Sequence, residues 1–303
     1  MSPCAAPISG TEPMTAFLHQ VFSGLASGGI YASVALALVL IYQATHLVNF
    51  AQGEMAMFAT YVAWALVQAG LPYWPAFLLT LAISFAGGVA IERIVIRPFD
   101  KAPVLASVCV FIGLLSIFNS LAGFIFTYTI KTFPSPFGEQ AWYGTRFLSP
   151  HETGEIVVTL ALLVLVYAFF RFTPLGLAMR AAAQNPASSR LVGIRVGWML
   201  ALGWGLAAAA GAVAGMMAAP IVYLEPNMMG GILLYGFAGA LLGGIDNPWG
   251  AVLGGFMVGV LENLAGGYVV GADLKLTAAL VIIVGVLVIR PSGLFGRPIA
   301  QRV

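Results

Sequence analysis

RFTPLGLAMRAAAQNPASSRLVGIR, residues Arg171 to Arg195, is a basic island between two strongly apolar runs, and the fold is read outward from it. Its four arginines have no acid among them. Basic residues beside membrane spans mark the cytoplasmic face. The island also carries helix punctuation. Thr173-Pro174 pairs an N-cap residue with a proline suited to the first helical position, Asn185-Pro186 repeats that signal, and Gly193 is a natural stop. The spacing predicts two short helices lying at the cytoplasmic surface, presented for something to dock on.

Composition places the rest of the chain in a bilayer. Of 303 residues, 60% are hydrophobic and 8% charged. A soluble domain carries roughly 25% charged residues, so this chain lacks the polar surface that water requires. The net charge of +2 gives no reason to expect nucleic acid as a partner. Cys4 and Cys109 form no disulfide framework, and Cys109 reads as a small apolar residue within a span. Residues 1–15 lack the basic start of a signal peptide and read as a loose, uncleaved tail. Residues 16–303 read as one transmembrane unit.

A spanning helix needs about 20 mostly apolar residues. Nine segments qualify or come close: Phe17–Ile41, Phe50–Gln68, Tyr73–Ile96, Val104–Phe126, Ile156–Phe172, Val196–Val222, Met228–Ile245, Trp249–Val270 and Leu274–Ile289. The last three are short, glycine-rich or interrupted. The expected fold is therefore all-α: a polytopic bundle of about 8–10 spans, some discontinuous, with short cytoplasmic helices at 171–195. Arg93, Arg97 and Lys101, the island, and Arg290, Arg297 and Arg302 set three cytoplasmic edges, which puts the C-terminus inside. The connection Thr127–Glu155, with its acids, prolines, Trp142 and Tyr143, reads as an outer loop. Parity places the N-terminus outside. Glycine pairs four apart, such as Gly24/Gly28, Gly239/Gly243 and Gly255/Gly259, read as helix-packing faces.

Polar residues inside spans are costly, and they mark candidate sites. In Val48-Asn49-Phe50-Ala51-Gln52-Gly53-Glu54, Asn49 can cap the following helix and Glu54 sits where the helix dipole favours an anion. Asn49, Gln52 and Glu54 either line a solute path at a helix start or serve as a cap with interhelical hydrogen bonds. In Gly243–Gly250, two glycines break one helix and Asp246 or Asn247 caps the next. This group is either a cytoplasmic turn, which parity favours, or a break beside a cavity. Glu262 must face the bundle or a polar cavity rather than lipid. A packing contact is the simpler reading for it, and a proton site the other. Asp273 and Lys275 read as an interfacial pair. The three histidines show no metal spacing, and no catalytic motif is present. None of the three lysines follows a glycine, so the phosphate loop G-x-x-x-x-G-K-[ST] cannot occur. If ATP drives this chain, another subunit binds it.

Five motifs in order resemble the permease subunits of bacterial branched-chain amino acid ABC importers, in particular the LivH-like member. N-F-A-Q-G-E at Asn49–Glu54 is similar to that family's N-F-A-H-G-E, with Gln52 in place of a frequent His. Glu92-Arg93 followed by Arg97-Pro98 is similar to E-R-x-x-x-R-P. Gly176–Ala181, running on to Leu191–Ile194, resembles the cytoplasmic coupling segment. Gly243-Gly244-Ile245 through Gly254-Gly255 resembles the glycine-rich stretch, and Arg290–Gly296 resembles R-P-x-G-x-x-G.

The resemblance implies a non-enzymatic transport subunit in the bacterial inner membrane, holding no cofactor of its own. Its implied partners are a second permease subunit (paralogue or copy), two cytoplasmic ATPase subunits that bind ATP, a periplasmic or extracellular solute-binding protein, and membrane lipids. It implies ATPase coupling through Gly176, Arg180, Ala181, Asn185, Arg190 and Gly193. The path would be lined from among Asn49, Gln52, Glu54, Asp246, Asn247 and Glu262. Related permeases import urea, amides and other small solutes. A stand-alone ion-coupled transporter or a membrane scaffold are the alternatives from other classes.

Overall fold

A computed structural model describes residues 12–45, 47–99, 102–138, 149–271 and 274–296. Among them the chain folds into eleven α-helices: α1 (Glu12–Thr45), α2 (Gln52–Gln68), α3 (Tyr73–Ile91), α4 (Val104–Phe126), α5 (Pro150–Phe172), α6 (Pro174–Gln184), α7 (Pro186–Leu191), α8 (Val196–Val222), α9 (Met229–Gly243), α10 (Pro248–Ala265) and α11 (Lys275–Ile289). Wider π-type turns, Glu92–Ile96 and Gly266–Val270, extend α3 and α10.

Every apolar segment of the sequence becomes a helix, but their lengths fall into two groups. Six are long and apolar enough to cross a membrane. The other three, α2, α9 and α11, have 17, 15 and 15 residues. At about 1.5 Å per residue they are shorter than the roughly 30 Å hydrocarbon layer. The protein is a multi-pass membrane protein.

Helix α1 runs through the centre. It is apolar around its whole circumference, and 89% of its spanning window is buried, against 22% for α3, α4 and α5. A helix with no polar face belongs inside the bundle. Its most extensive partner is α10, followed by α8 and α9. Small residues allow this. A Cβ on Gly24 would meet the main chain of Gly259 and Val260, and one on Gly255 would meet the main chain of Ala32. Helix α3 lies against α8 in the same way, with Gly88 set on Trp204 and Gly205. Backbones this close gain dispersion contacts that lipid cannot supply.

Two segment boundaries differ from the sequence reading. Helix α1 already begins at Glu12, so the tail expected to reach residue 15 shortens, and residues 1–11 lie outside the described residues. Helix α5 begins at Pro150 rather than Ile156, which ends the Thr127–Glu155 connection early. The cause is a capping box. The Ser149 side chain accepts from Glu152 N and the Glu152 carboxylate accepts from Ser149 N. His46, Lys101, Trp142, Tyr143, Asp273, Arg297 and Arg302 lie outside the described residues.

Candidate functional site

The short helix α2 starts midway through the bundle. Its first residue, Gln52, is buried and donates Nε2–H to the Ala207 carbonyl at 2.9 Å. Ala207 is eleven residues into the 27-residue α8, or about 17 Å along it. Helix α9 begins beside the same point, because a Cβ on Gly53 would sit 3.4 Å from that of Met229 and 3.2 Å from that of Leu233. Two partial helices thus bring their N-terminal ends together within the membrane-embedded body. Their unpaired N–H groups favour negative charge there.

Glu54 projects from the first turn of α2. Asn119 of α4 comes to it, with Nδ2 3.4 Å from Glu54 Oε2, 2.9 Å from the Pro226 carbonyl and 3.1 Å from Asn227 Oδ1. One amide has two hydrogens, so three acceptors compete for two donors. One of the three acceptors is left without a hydrogen from this amide. Asn227 is exposed, as are Gly230, Gly231 and Leu234 along the following helix and Phe50 just before α2. A Cβ on Gly230 or Gly231 would meet nothing within 4 Å. Neither Asn119 nor Asn227 was among the site residues expected from the sequence.

The remaining intramembrane polar residues go elsewhere. Asn49 is fully buried, and its Oδ1 accepts from Ala51 N at 3.0 Å. It shapes the turn entering α2 but does not cap the helix as expected, since α2 starts one residue after that bond and has no side-chain cap. Its amide also reaches Gln52 Oε1 at 3.4 Å. Glu262 accepts from the Tyr31 hydroxyl at 2.8 Å and from Tyr235. The two tyrosine rings stack at 4.7 Å. No hydrogen bond joins Glu262 to the Glu54 cluster among the described residues. Glu155, assigned to a loop from the sequence, lies on α5, fully buried against Gly29 of α1.

At one end of the bundle, α6 and α7 form a rigid pair. Thr173 Oγ1 accepts from Gly176 N at 3.0 Å and donates to the Phe169 carbonyl at 2.7 Å, tying α6 to the end of α5. Gly176 lies on the main chain of Phe169 and Phe170, where no side chain fits. Asn185 ends α6 by donating its N–H to the Ala181 carbonyl, and its Oδ1 caps α7 by accepting from Ser188 N at 3.0 Å. Gly193 closes the pair at φ +84°, a conformation that suits glycine. Met179 and Ala182 are buried beneath α6, while Arg180 and Arg190 are exposed. Leu177, Leu191 and Val192 are also exposed, Leu191 at 88% and Val192 at 75%.

The Asp246 turn belongs to this same end. The Asp246 carbonyl accepts from Gln43 Nε2 at 2.9 Å. Asn247 Oδ1 accepts from Trp249 N at 3.2 Å to cap α10. The C-terminal stretch folds back on the turn, with Leu294 N donating to the Leu242 carbonyl at 2.8 Å and Phe295 N to that of Gly243 at 3.1 Å. Gly244 (φ +106°) and Gly293 (φ +78°) permit the approach. Asp246 and Asn247 therefore do not join Glu54. Asp246 instead lines a cavity that Arg180 also lines.

Residues 20–289 match the family model described as "Branched-chain amino acid transport system / permease component". The high-affinity branched-chain amino acid transport system permease protein LivH of Salmonella typhimurium is 29% identical over 315 residues, covering 97% of this chain and 100% of that one. The corresponding permease protein BraD of Pseudomonas aeruginosa is 30% identical over 304 residues, covering 95% and 98%. The solved structure of PsaBC from Streptococcus pneumoniae in complex with Fab aligns with 89% of this chain and 91% of that one, at 13% identity and a TM-score of 0.48.

Proposed function

The chain belongs to the family of permease components of branched-chain amino acid transport systems, and from that premise we propose that it forms half of the translocation path of an ATP-driven importer for branched-chain or closely related amino acids. Residues 16–303 act as one permease unit. A second permease, a copy or a paralogue, covers the face that exposes Phe50, Gly230 and Leu234. The solute passes the Glu54–Asn119–Asn227 cluster between the two chains. There the helix starts attract its carboxylate, and the Glu54 carboxylate takes its ammonium.

The end carrying α6 and α7 faces the cytoplasm of a bacterial inner membrane. Arg93, Arg97, Arg171, Arg180, Arg190, Arg195 and Arg290 gather there, while Lys131 and Lys275 mark the opposite end. The C-terminus lies on the cytoplasmic side as well. ATP is bound and hydrolysed by two separate subunits that dock on α6 and α7. A solute-binding protein delivers at the far side, where residues 127–138 meet Leu224. Closure of the ATPases moves α6 and α7 as one lever, through Gly176, Ala181, Asn185 and Gly193.

One observation carries this reading. Leu177, Leu191 and Val192 are uncovered on a rigid, doubly capped module outside the spans. Apolar side chains held out in this way call for a protein surface. The test is reconstitution in proteoliposomes of this chain with a second permease, the ATPase subunits and the binding protein. Leucine uptake is expected only with ATP and the full set. Uptake by this chain alone, driven by an ion gradient, would overturn the proposal.

A further inference from the structure

Beneath α6 lies a cavity of about 310 Å³ enclosed by the ends of α1, α5 and α8 and the Asp246 turn. That volume is at the low end of ligand sites, which run from about 300 to 1,000 Å³. It is partly open to solvent and has room for a small solute. Its chemistry is mixed in a particular way. Leu40, Met179 and Met199 give an apolar wall, Gln43 supplies an amide, and Arg180 and Asp246 supply one charge of each sign. The two charges do not pair with each other, since the one ion pair among the described residues joins Arg93 and Glu92. Asp246 is held in place through its own carbonyl by Gln43, with Tyr42 also nearby.

We propose that this cavity is a second, cytoplasm-facing site for the transported amino acid, separate from the Glu54 cluster. Arg180 takes the carboxylate, Asp246 takes the ammonium, and the methionine and leucine wall takes a branched apolar side chain. Opposite charges that share a cavity without neutralising each other fit a zwitterion better than an anion or a cation alone. Because α6 forms one wall, an occupant braces the coupling helix against the end of α1, so the released solute acts back on the lever that drives its own import.

This assignment rests on the amino acid reading above, and the test separates the two. Equilibrium binding of radiolabelled L-leucine is measured on the full chain in lipid nanodiscs, without the binding protein. The variants are Arg180→Gln, Asp246→Asn and the cavity-filling Ala183→Trp, each combined with Glu54→Gln so that the cavity alone is read, and Glu54→Gln by itself, which silences the first site. Binding is expected to fall about tenfold or more in the first three, the loss of a charge-assisted contact or of the space, and to persist in Glu54→Gln. The analogues 4-methylpentanoate and 3-methylbutylamine, each lacking one charge, are expected to bind at least about tenfold more weakly than leucine. Binding lost in Glu54→Gln by itself, or kept when Asp246→Asn and Ala183→Trp are added to it, overturns the second site and leaves the importer reading standing. So does an absence of leucine binding alongside ATP-driven uptake by the complete importer. Equal binding of either analogue overturns the zwitterion assignment.

Discussion

Truncating Leu191 and Val192 to alanine should weaken ATPase docking by about two orders of magnitude. Leu191→Ala removes three carbons and Val192→Ala two, at about 0.8 kcal/mol per buried carbon. Their exposures of 88% and 75% in the free chain set how much a partner can cover. Scaling by them gives about 2 kcal/mol for the first and about 1 kcal/mol for the second, under full burial at the interface. Roughly 3 kcal/mol is a factor of about 200 in dissociation constant. The assay is biolayer interferometry of the ATPase subunits on the permease pair in nanodiscs. Leu165→Ala serves as the control. That side chain is 67% exposed on the lipid-facing side of α5, so its loss should leave docking unchanged. If the double variant bound the ATPases within twofold of wild type and still transported, these side chains would not lie in the interface.

Three other outcomes are expected. Gly255→Val places side-chain atoms into the main chain of α1 at Ala32, and overpacking of this kind costs about 1–3 kcal/mol. Fluorescence-detected size exclusion after heating should show a melting point several degrees lower, and an unchanged value would mean that α1 and α10 are less tightly joined than described. Glu54→Gln and Asn119→Ala should each lower leucine uptake about tenfold or more, the cost of losing a charged or buried polar partner, with ATPase affinity unchanged. Wild-type uptake in both would remove the cluster from the path. Arg180→Glu or Arg190→Glu should leave the folded bundle intact on size exclusion but uncouple ATP hydrolysis from uptake, so that hydrolysis no longer follows the loaded binding protein. Normal coupling would remove these arginines from the ATPase interface.

The parts of this fold that were legible in the sequence are those set by local spacing. Apolar runs gave the nine apolar helical segments, six long and three short, and Thr173-Pro174 and Asn185-Pro186 gave α6 and α7 with their caps, because an N-cap bond spans only three residues. The start of α5 was legible too, in Ser149-Pro150-His151-Glu152, but the charge of the region drew attention away from the capping pattern and left Glu155 in a loop. Asn119 gave no such signal. It is a single amide in an apolar run, and its partners are 65 to 108 residues away. The convergence of Arg180 with Asp246 is equally non-local. Each was noticed, but for a different purpose, and only the seating of α6 on the ends of α1 and α8 brings them to one cavity.

That seating also decides which helix can carry motion between the two ends. Helix α2 is pinned at its start, since Gln52 is bonded to the main chain of α8. Helix α9 is tied to α10 at one point, where Tyr235 donates to Glu262. Its seam with α10 is glycine on glycine, Gly239 against Gly255 and Gly243 against Gly250. Away from that bond, the glycine seam offers few interlocked side chains to unlatch before one helix slides along the other. At one end, α9 continues into the Asp246 turn that shares a cavity with α6. At the other it begins just after Pro226 and Asn227, two of the acceptors that meet Asn119. Glu54 and Asn119 ride on α2 and α4, while Pro226 and Asn227 lie in the turn that leads into α9. A shift of α9 by a fraction of a turn, driven from α6, would therefore pull one side of the cluster away from the other and change which acceptor is free. The intervening rod is 15 residues, about 22 Å, long enough to join the end that carries α6 to the Glu54 cluster midway through the bundle without any change in its own fold.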